Sequence, residues 1–105
     1  MVEYTIDADA VFFSLADATR RDILNRVSRQ SRSVGELAEA HKNLSFAAIA
    51  KHVSVLEDAG LVIKKREGRY QIISVNKKAL GEAAHILEMY KKVWEARFNT
   101  LDALL

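Results

Sequence analysis

Lys51, Lys64, Lys65, Arg66 and Arg69 are the residues whose types and spacing suggest chemistry, and that chemistry is anion binding. Four of them fall within the six residues Lys64-Lys65-Arg66-Glu67-Gly68-Arg69, offset only by Glu67. Mobile cations on a projecting element suit phosphates, each of which releases counterions when neutralised. Hairpin edges also carry lysine to block edge-to-edge pairing, but that explains one lysine better than four cations at one tip. Lys51 stands on a different stretch, 46–59, beside Ala47, Ala50 and Ser54. Small residues at 47 and 50 would let a backbone approach base edges, with alanine methyls against thymine methyls. Lys51 would reach guanine or a phosphate, and Ser54 would donate or accept. The bland alternative is an ordinary amphipathic helix with a weakly polar outer face.

Catalytic chemistry is poorly served. The three histidines, His41, His52 and His85, are scattered, there is no cysteine and no glycine-rich phosphate loop. No nucleophile, base and orienting group can be assembled from them, so no enzyme activity and no cofactor is expected. Without cysteine, disulfides, thiolate metal sites and iron–sulfur clusters drop out. His85 and Glu88 have a metal-like spacing, yet both fall on a polar helical arc where solvated side chains need no ligand; no metal is expected. His52 is expected to pack or hydrogen-bond at a helix edge, and His41 to sit near a helix end. Arg20 and Arg21 could touch phosphate or pair locally; structure is favoured for Arg20, and Arg21 is left open.

The chain's 105 residues suit a single domain, 1–105, and 50% apolar with 29% charged residues fits a globular one. Net charge is only +2, but its distribution is uneven. Residues 1–19 hold four acids and no base, whereas 20–69 hold eleven Lys/Arg against six Asp/Glu, a net +5. A basic middle between acidic or near-neutral flanks points to nucleic acid. No apolar run approaches the ~18 residues of a membrane helix. The acidic start lacks the basic region of a signal peptide, so a cytoplasmic protein without membrane contact is expected.

The elements that must position these residues follow from periodicity. Residues 8–15 read as a short apolar helix, with Val11, Phe12 and Leu15 at helical spacing. A second helix over 19–29 buries Ile23, Leu24 and Val27. Ser33 and Glu36 form a capping box opening a third helix that ends near His41. After the turn Lys42-Asn43-Leu44, Ser45 is an N-cap for a fourth helix, 46–59, stopped by Gly60. Ile49, Val53 and Leu56 share its inner face. The period then becomes strand-like in 61–63 and 70–75, with Glu67-Gly68 as the expected hairpin tip. Asn76 caps a last helix running almost to Leu105. Two helices joined by a three-residue turn and followed by a basic hairpin describe a winged helix-turn-helix. The fold class is thus mainly α with a small β-hairpin, in the order α1-α2-α3-α4-β-β-α5. In that arrangement Ser45, Phe46, Ala47, Ala50, Lys51 and Ser54 would meet the major groove. Lys64, Lys65, Arg66 and Arg69 would hold the backbone or minor groove.

The last helix carries more apolar surface than one contact needs. Leu80, Ala83, Leu87, Tyr90, Trp94, Phe98, Leu101 and Leu105 make one stripe, widened by Ile86, Met89, Val93 and Leu104. One core contact uses a stripe ~100° wide, so the excess calls for a second surface, most simply a two-fold copy. Val11, Phe12 and Phe13 of the first helix would join that dimer interface, alongside Leu80, Leu87, Tyr90, Trp94, Phe98 and Leu101. A ligand pocket lined by Tyr90, Trp94 and Phe98 is the alternative to packing.

The stretch Ser14-Leu15-Ala16-Asp17-Ala18-Thr19-Arg20-Arg21-Asp22-Ile23-Leu24 resembles the opening of the ArsR (arsenical-resistance repressor) family. Leu44-Ser45-Phe46-Ala47-Ala48-Ile49-Ala50-Lys51-His52-Val53 and Val55-Leu56-Glu57-Asp58-Ala59-Gly60-Leu61-Val62 are similar to that family's recognition helix and its exit. Glu67-Gly68-Arg69 resembles its wing. The resemblance implies a homodimeric transcriptional repressor that reads an operator with inverted half-sites and is released by a signal, here an unidentified small-molecule effector if there is one. In the family the first and last helices dimerise. Ala18 and Ala47 stand where that family often has proline, and Ala50 where it often has serine, which removes one polar DNA contact. The cysteine pair by which many members sense metal is replaced by Ser33-Val34-Gly35-Glu36-Leu37. The runner-up function is a winged-helix protein–protein interaction module without DNA binding.

Overall fold

A computed structural model describes residues 5–104, with side chains from 5 to 97. Among the described residues, five helices and three short strands follow one another along the chain. They are α1 (Ala8–Ser14), α2 (Ala18–Arg29), β1 (Arg32–Ser33), α3 (Val34–Ala40), α4 (Phe46–Asp58), β2 (Val62–Glu67), β3 (Tyr70–Val75) and α5 (Lys77–Leu104).

Side chains from just outside the helices set their starts. The Asp7 carboxylate accepts from the Ala10 amide, Asp17 from Arg20, Ser45 from Ala48 and Asn76 from Ala79. At α3 the capping box closes in both directions, since the Ser33 hydroxyl accepts from the Glu36 amide while Glu36 accepts from the Ser33 amide. Each cap satisfies an amide that has no intrahelical partner and contributes roughly 1 kcal/mol. The end of α4 is equally specific. Gly60 takes φ +81°, and its amide donates to the Glu57 carbonyl while Leu61 donates to that of Leu56. This is a Schellman closure, and the buried pair Leu56 and Leu61 supplies its usual apolar contact.

The strands form one antiparallel sheet in the order β1-β3-β2. In the hairpin Val62 pairs with Val75 and Glu67 with Tyr70. The turn is therefore Gly68-Arg69, one residue beyond the expected Glu67-Gly68. Gly68 has φ +62°, and among the described residues no non-glycine residue has a positive φ. A two-residue hairpin turn of that kind wants glycine at its first central position, which fixes the register. The strand β1, which pairs Arg32 with Ile73 and Ser33 with Ile72, was not foreseen. Two residues are too short to show a period, and their partners lie some forty positions downstream.

Ile23, Leu37, Ile49, Val53, Leu56, Leu61 and Ile73 are sealed in a core shared by α2, α3, α4 and the sheet. Each such side chain contributes ~1.5–3 kcal/mol by leaving water. The buried Ser14 hydroxyl donates to the Val11 carbonyl, so it leaves no unmet polar group. The last helix joins this core only at its beginning, where Ala79 and Ala83 are buried. Every side chain from Leu87 to Arg97 is exposed. At 1.5 Å per residue α5 is ~42 Å long, and it draws the molecule out to 61 × 32 × 21 Å.

Candidate nucleic-acid interface

The short turn after α3 sets α4 across the core with Ile49, Val53 and Leu56 inward. Its outer face follows the helical wheel with one refinement. Ser45, Phe46, Ala47 and Lys51 are exposed, whereas Ala50 and Ser54 are half-buried at the edge of the strip. Ala50 packs partly against the core, so only its outer side is open. Lys51 has no ion pair with any described residue, leaving its charge available to an outside anion.

The hairpin divides the wing cations in a way that sequence order conceals. Side chains alternate across a strand, so Val62, Lys64 and Arg66 share the inner face of β2, and Ile63 and Lys65 the outer one. The Lys64 amine lies 3.5 Å from the Glu57 carboxylate of α4, so Lys64 fastens the wing to the helix. Arg66 Nε donates to the Gly68 carbonyl at 3.0 Å. Lys65 is exposed on the other side. Arg69, at the turn, holds its guanidinium 5.5 Å from the centre of the Tyr70 ring.

Between the wing and the start of α4 lies a cleft of about 500 Å³ that brings together Phe46, Arg66, Arg69, Tyr70 and Gln71 with the first residues of α3. Tyr70 and Gln71 were not singled out in the sequence. The register that faces Gln71 with Arg66 was the available signal, had the turn been placed one residue later.

Behind the exposed strip, Arg20 ties α1 to α4. Its Nε donates to the Ser14 carbonyl at 2.6 Å and Nη2 to that of Phe13 at 3.2 Å, while Nη1 lies 3.3 Å from His52 Nδ1. Arg21 donates to the Leu15 carbonyl at 2.8 Å. The two guanidiniums thus reach carbonyls at the end of α1, those of Ser14 and Leu15 and that of Phe13, which also accepts from the Ala16 amide. Arg20 has a structural role, while Arg21 holds a carbonyl of α1 and keeps an exposed side chain. Asp17 is held below the ordinary aspartate range, chiefly by the Arg20 backbone amide, with the Arg20 guanidinium adding favourable charge.

His41 ends α3 as expected, and both ring nitrogens are engaged, Nδ1 with the Leu37 carbonyl at 2.8 Å and Nε2 with Asp22 at 2.7 Å. Asp22 is lowered below its ordinary value, first by the hydrogen bond from Arg26 and then by His41.

The proposed dimer residues separate by depth. Val11 has no exposed surface and belongs to the monomer core, so it cannot meet a partner directly; α1 is short and turns Val11 and Ser14 inward together. Phe12 and Leu80 are half-buried against the core, and Phe13 is the exposed aromatic of α1. Leu87, Met89, Tyr90, Val93 and Trp94 remain 52–60% exposed on α5. Phe98 and Leu101 carry side chains outside the described residues. His85 and Glu88 lie on the exposed part of α5. Among the described residues no three His, Asp or Glu side chains gather as a metal site requires, and no helix is long and apolar enough to cross a membrane.

Residues 15–64, from the end of α1 into the wing, match a helix-turn-helix domain family. Over 78 residues the chain is 40% identical to the uncharacterised helix-turn-helix transcriptional regulator YuzN of Bacillus subtilis, covering 69% of this chain and 85% of that one. It is 32% identical to the transcriptional repressor SdpR of the same organism, over 70% of this chain and 80% of SdpR. A crystal structure of an ArsR family transcriptional regulator superposes with a TM-score of 0.78 at 30% identity, covering 90% of this chain and 97% of that one. With its helix-turn-helix, wing and long terminal helix in the same order, this chain belongs to the ArsR family of winged helix-turn-helix, DNA-binding transcriptional regulators.

Proposed function

We propose that this chain acts as a cytoplasmic homodimeric repressor, a binding protein rather than an enzyme, formed by residues 1–105 as one domain. It reads operator DNA with inverted half-sites. The N-terminal half of α4 enters the major groove, where Ala47, Ala50, Lys51 and Ser54 meet base edges. Lys65, Arg66 and Arg69 of the wing hold the backbone, positioning the protein without reading sequence. The observation that carries this reading is the junction of α4 and wing, where the exposed Phe46 and the cations Arg66 and Arg69 border one cleft. A duplex backbone following that side would meet positive charge at both of its contacts.

Dimerisation follows from α5. A helix whose side chains from Leu87 to Arg97 are all exposed, five of them large and apolar, holds an apolar surface larger than a monomer usually shows water. A second copy of the helix covers it and spaces two reading helices for half-sites about one DNA turn (~34 Å) apart. The 32% identity to SdpR supports repression as the sense of regulation.

Fluorescence anisotropy tests the reading. Labelled DNA from upstream of the protein's own gene is compared with a random duplex at two salt concentrations. Tight, salt-sensitive binding that favours the upstream fragment is expected. Absence of binding to either duplex at low salt would overturn it in favour of a protein–protein module.

A further inference from the structure

We propose that the cleft between the wing and the start of α4 is a binding site for a small planar aromatic carboxylate, and that its occupant displaces DNA by direct competition. Its volume of about 500 Å³ lies within the range of small-molecule sites, which are mostly apolar with a few convergent polar groups. Two aromatic rings border it, Phe46 at 60% and Tyr70 at 55% exposure. For a soluble domain these are large apolar faces left in water beside each other. Two guanidiniums complete the lining, and no acidic side chain does.

The guanidiniums are placed for an anion. Arg66 is anchored through Nε to the Gly68 carbonyl, which leaves its terminal nitrogens without a partner among the described residues. Anchoring lowers the entropy lost when a fork of donors closes on a carboxylate, and that pairing is among the strongest exposed hydrogen-bonded contacts. Arg69 lies over the Tyr70 ring at 5.5 Å, so a ligand ring placed beside that pair extends an existing stack. Gln71, facing Arg66 across the hairpin, adds a neutral donor and acceptor.

Duplex DNA uses only half of this chemistry. Its phosphates satisfy Arg66 and Arg69, but its bases are stacked and offer no free ring face to Phe46 or Tyr70. A compact molecule carrying both an aromatic ring and a carboxylate uses all four side chains. Bound there, it neutralises two wing cations and fills the space beside Phe46 at the start of α4, so ligand and DNA exclude each other. The competition rests on the DNA reading proposed above; the ligand site itself does not.

The test is a proton–nitrogen NMR titration of the full-length protein, without DNA, using 2-naphthoate as the probe. Uncharged 2-naphthamide and ringless decanoate serve as controls. Saturable shifts at the amides of Gly35, Phe46 and Gln71 are expected, with both controls at least tenfold weaker. Arg66→Gln and Tyr70→Leu should each weaken the probe tenfold or more, and the same spectra report whether each variant is folded. No saturable shift at millimolar probe, equal binding of either control, or shifts confined to α1 and α5 would each overturn the site. With probe at ten times its Kd, exclusive binding raises the apparent DNA Kd about elevenfold. An unchanged DNA Kd with the cleft occupied would overturn the competition. A protein that takes the probe but binds no DNA would sink the DNA reading and leave the site standing. One that binds DNA but no probe would sink this proposal alone.

Discussion

The Arg20 guanidinium approaches the His52 imidazole Nδ1 at 3.3 Å, joining the end of α1 to the middle of the reading helix. A guanidinium only donates, so Nδ1 accepts and the ring proton sits on Nε2. Asp17 lies farther from the same nitrogen, at 3.8 Å. Because Arg20 also caps the Phe13 and Ser14 carbonyls, one side chain fixes α1 against α4.

Replacing Arg20 should therefore cost more than replacing its neighbour. Arg20→Ala removes the guanidinium donor from the Ser14 carbonyl and the His52 imidazole, while the Phe13 carbonyl keeps the Ala16 amide, and should destabilise by about 2–3 kcal/mol, against about 1 kcal/mol for Arg21→Ala. Lysine should not rescue Arg20, since one ammonium cannot span the three acceptors. Urea unfolding at neutral pH measures all three variants; equal losses for Arg20→Ala and Arg21→Ala would refute the clamp.

Acid sensitivity should concentrate at Asp22. Its pKa in the fold lies below the ordinary 3.8, because Arg26 and then His41 donate to the carboxylate. A lowered carboxylate adds stability that is fully present above the unfolded value. That stability is lost as pH falls through the folded one. Asp22→Asn should thus be less stable than the parent at pH 7, with the difference shrinking below about pH 4. Urea midpoints of both proteins across the acid range check this. Asp17 and Glu36, lowered mainly by backbone amide donors, should keep part of the acid slope in the variant.

The strand alternation separates the wing lysines. Lys65→Ala and Arg69→Ala should each reduce the slope of log K against log salt by about 0.9, the value of one phosphate contact. Lys64→Ala should change it much less, since its amine already faces Glu57. Anisotropy over a salt series on a random duplex distinguishes the three.

Lys51→Ala should weaken operator binding by ~1–3 kcal/mol if the amine contacts a base. The loss on random DNA should be smaller. Equal losses on both duplexes would make Lys51 a phosphate contact instead.

Placing a charge on the exposed part of α5 should separate the dimer without unfolding the monomer. Val93→Asp lies well beyond Ala83, the last buried residue of that helix among those whose side chains are described. Light scattering should report a monomer, while circular dichroism stays close to the parent's. A dimer that survives Val93→Asp together with Leu87→Asp would place the interface elsewhere.

What the sequence determined by itself was local. Ser33, Ser45 and Asn76 announce helix starts, and Gly60 a helix end, because caps act over three or four residues and use side chains of one chemical type. The inward face of α4 was equally legible, since Ile49, Val53 and Leu56 repeat at the helical period. The apolar excess of α5 could likewise be counted from its wheel. Features that depend on pairing between distant residues were not legible in this way. The strand β1 exists because Arg32 and Ser33 meet Ile73 and Ile72, and no two-residue pattern encodes a partner. A hairpin turn displaced by one residue moves every cross-strand partner by two positions, so Arg66 faces Gln71 rather than Arg69. Lys64 becomes a brace because the wing lies beside α4, where Glu57 meets its amine. Val11 has the same apolar character as the residues around it; only the seating of α1 on the core, held by Arg20, assigns it to the interior and leaves Phe13 outside.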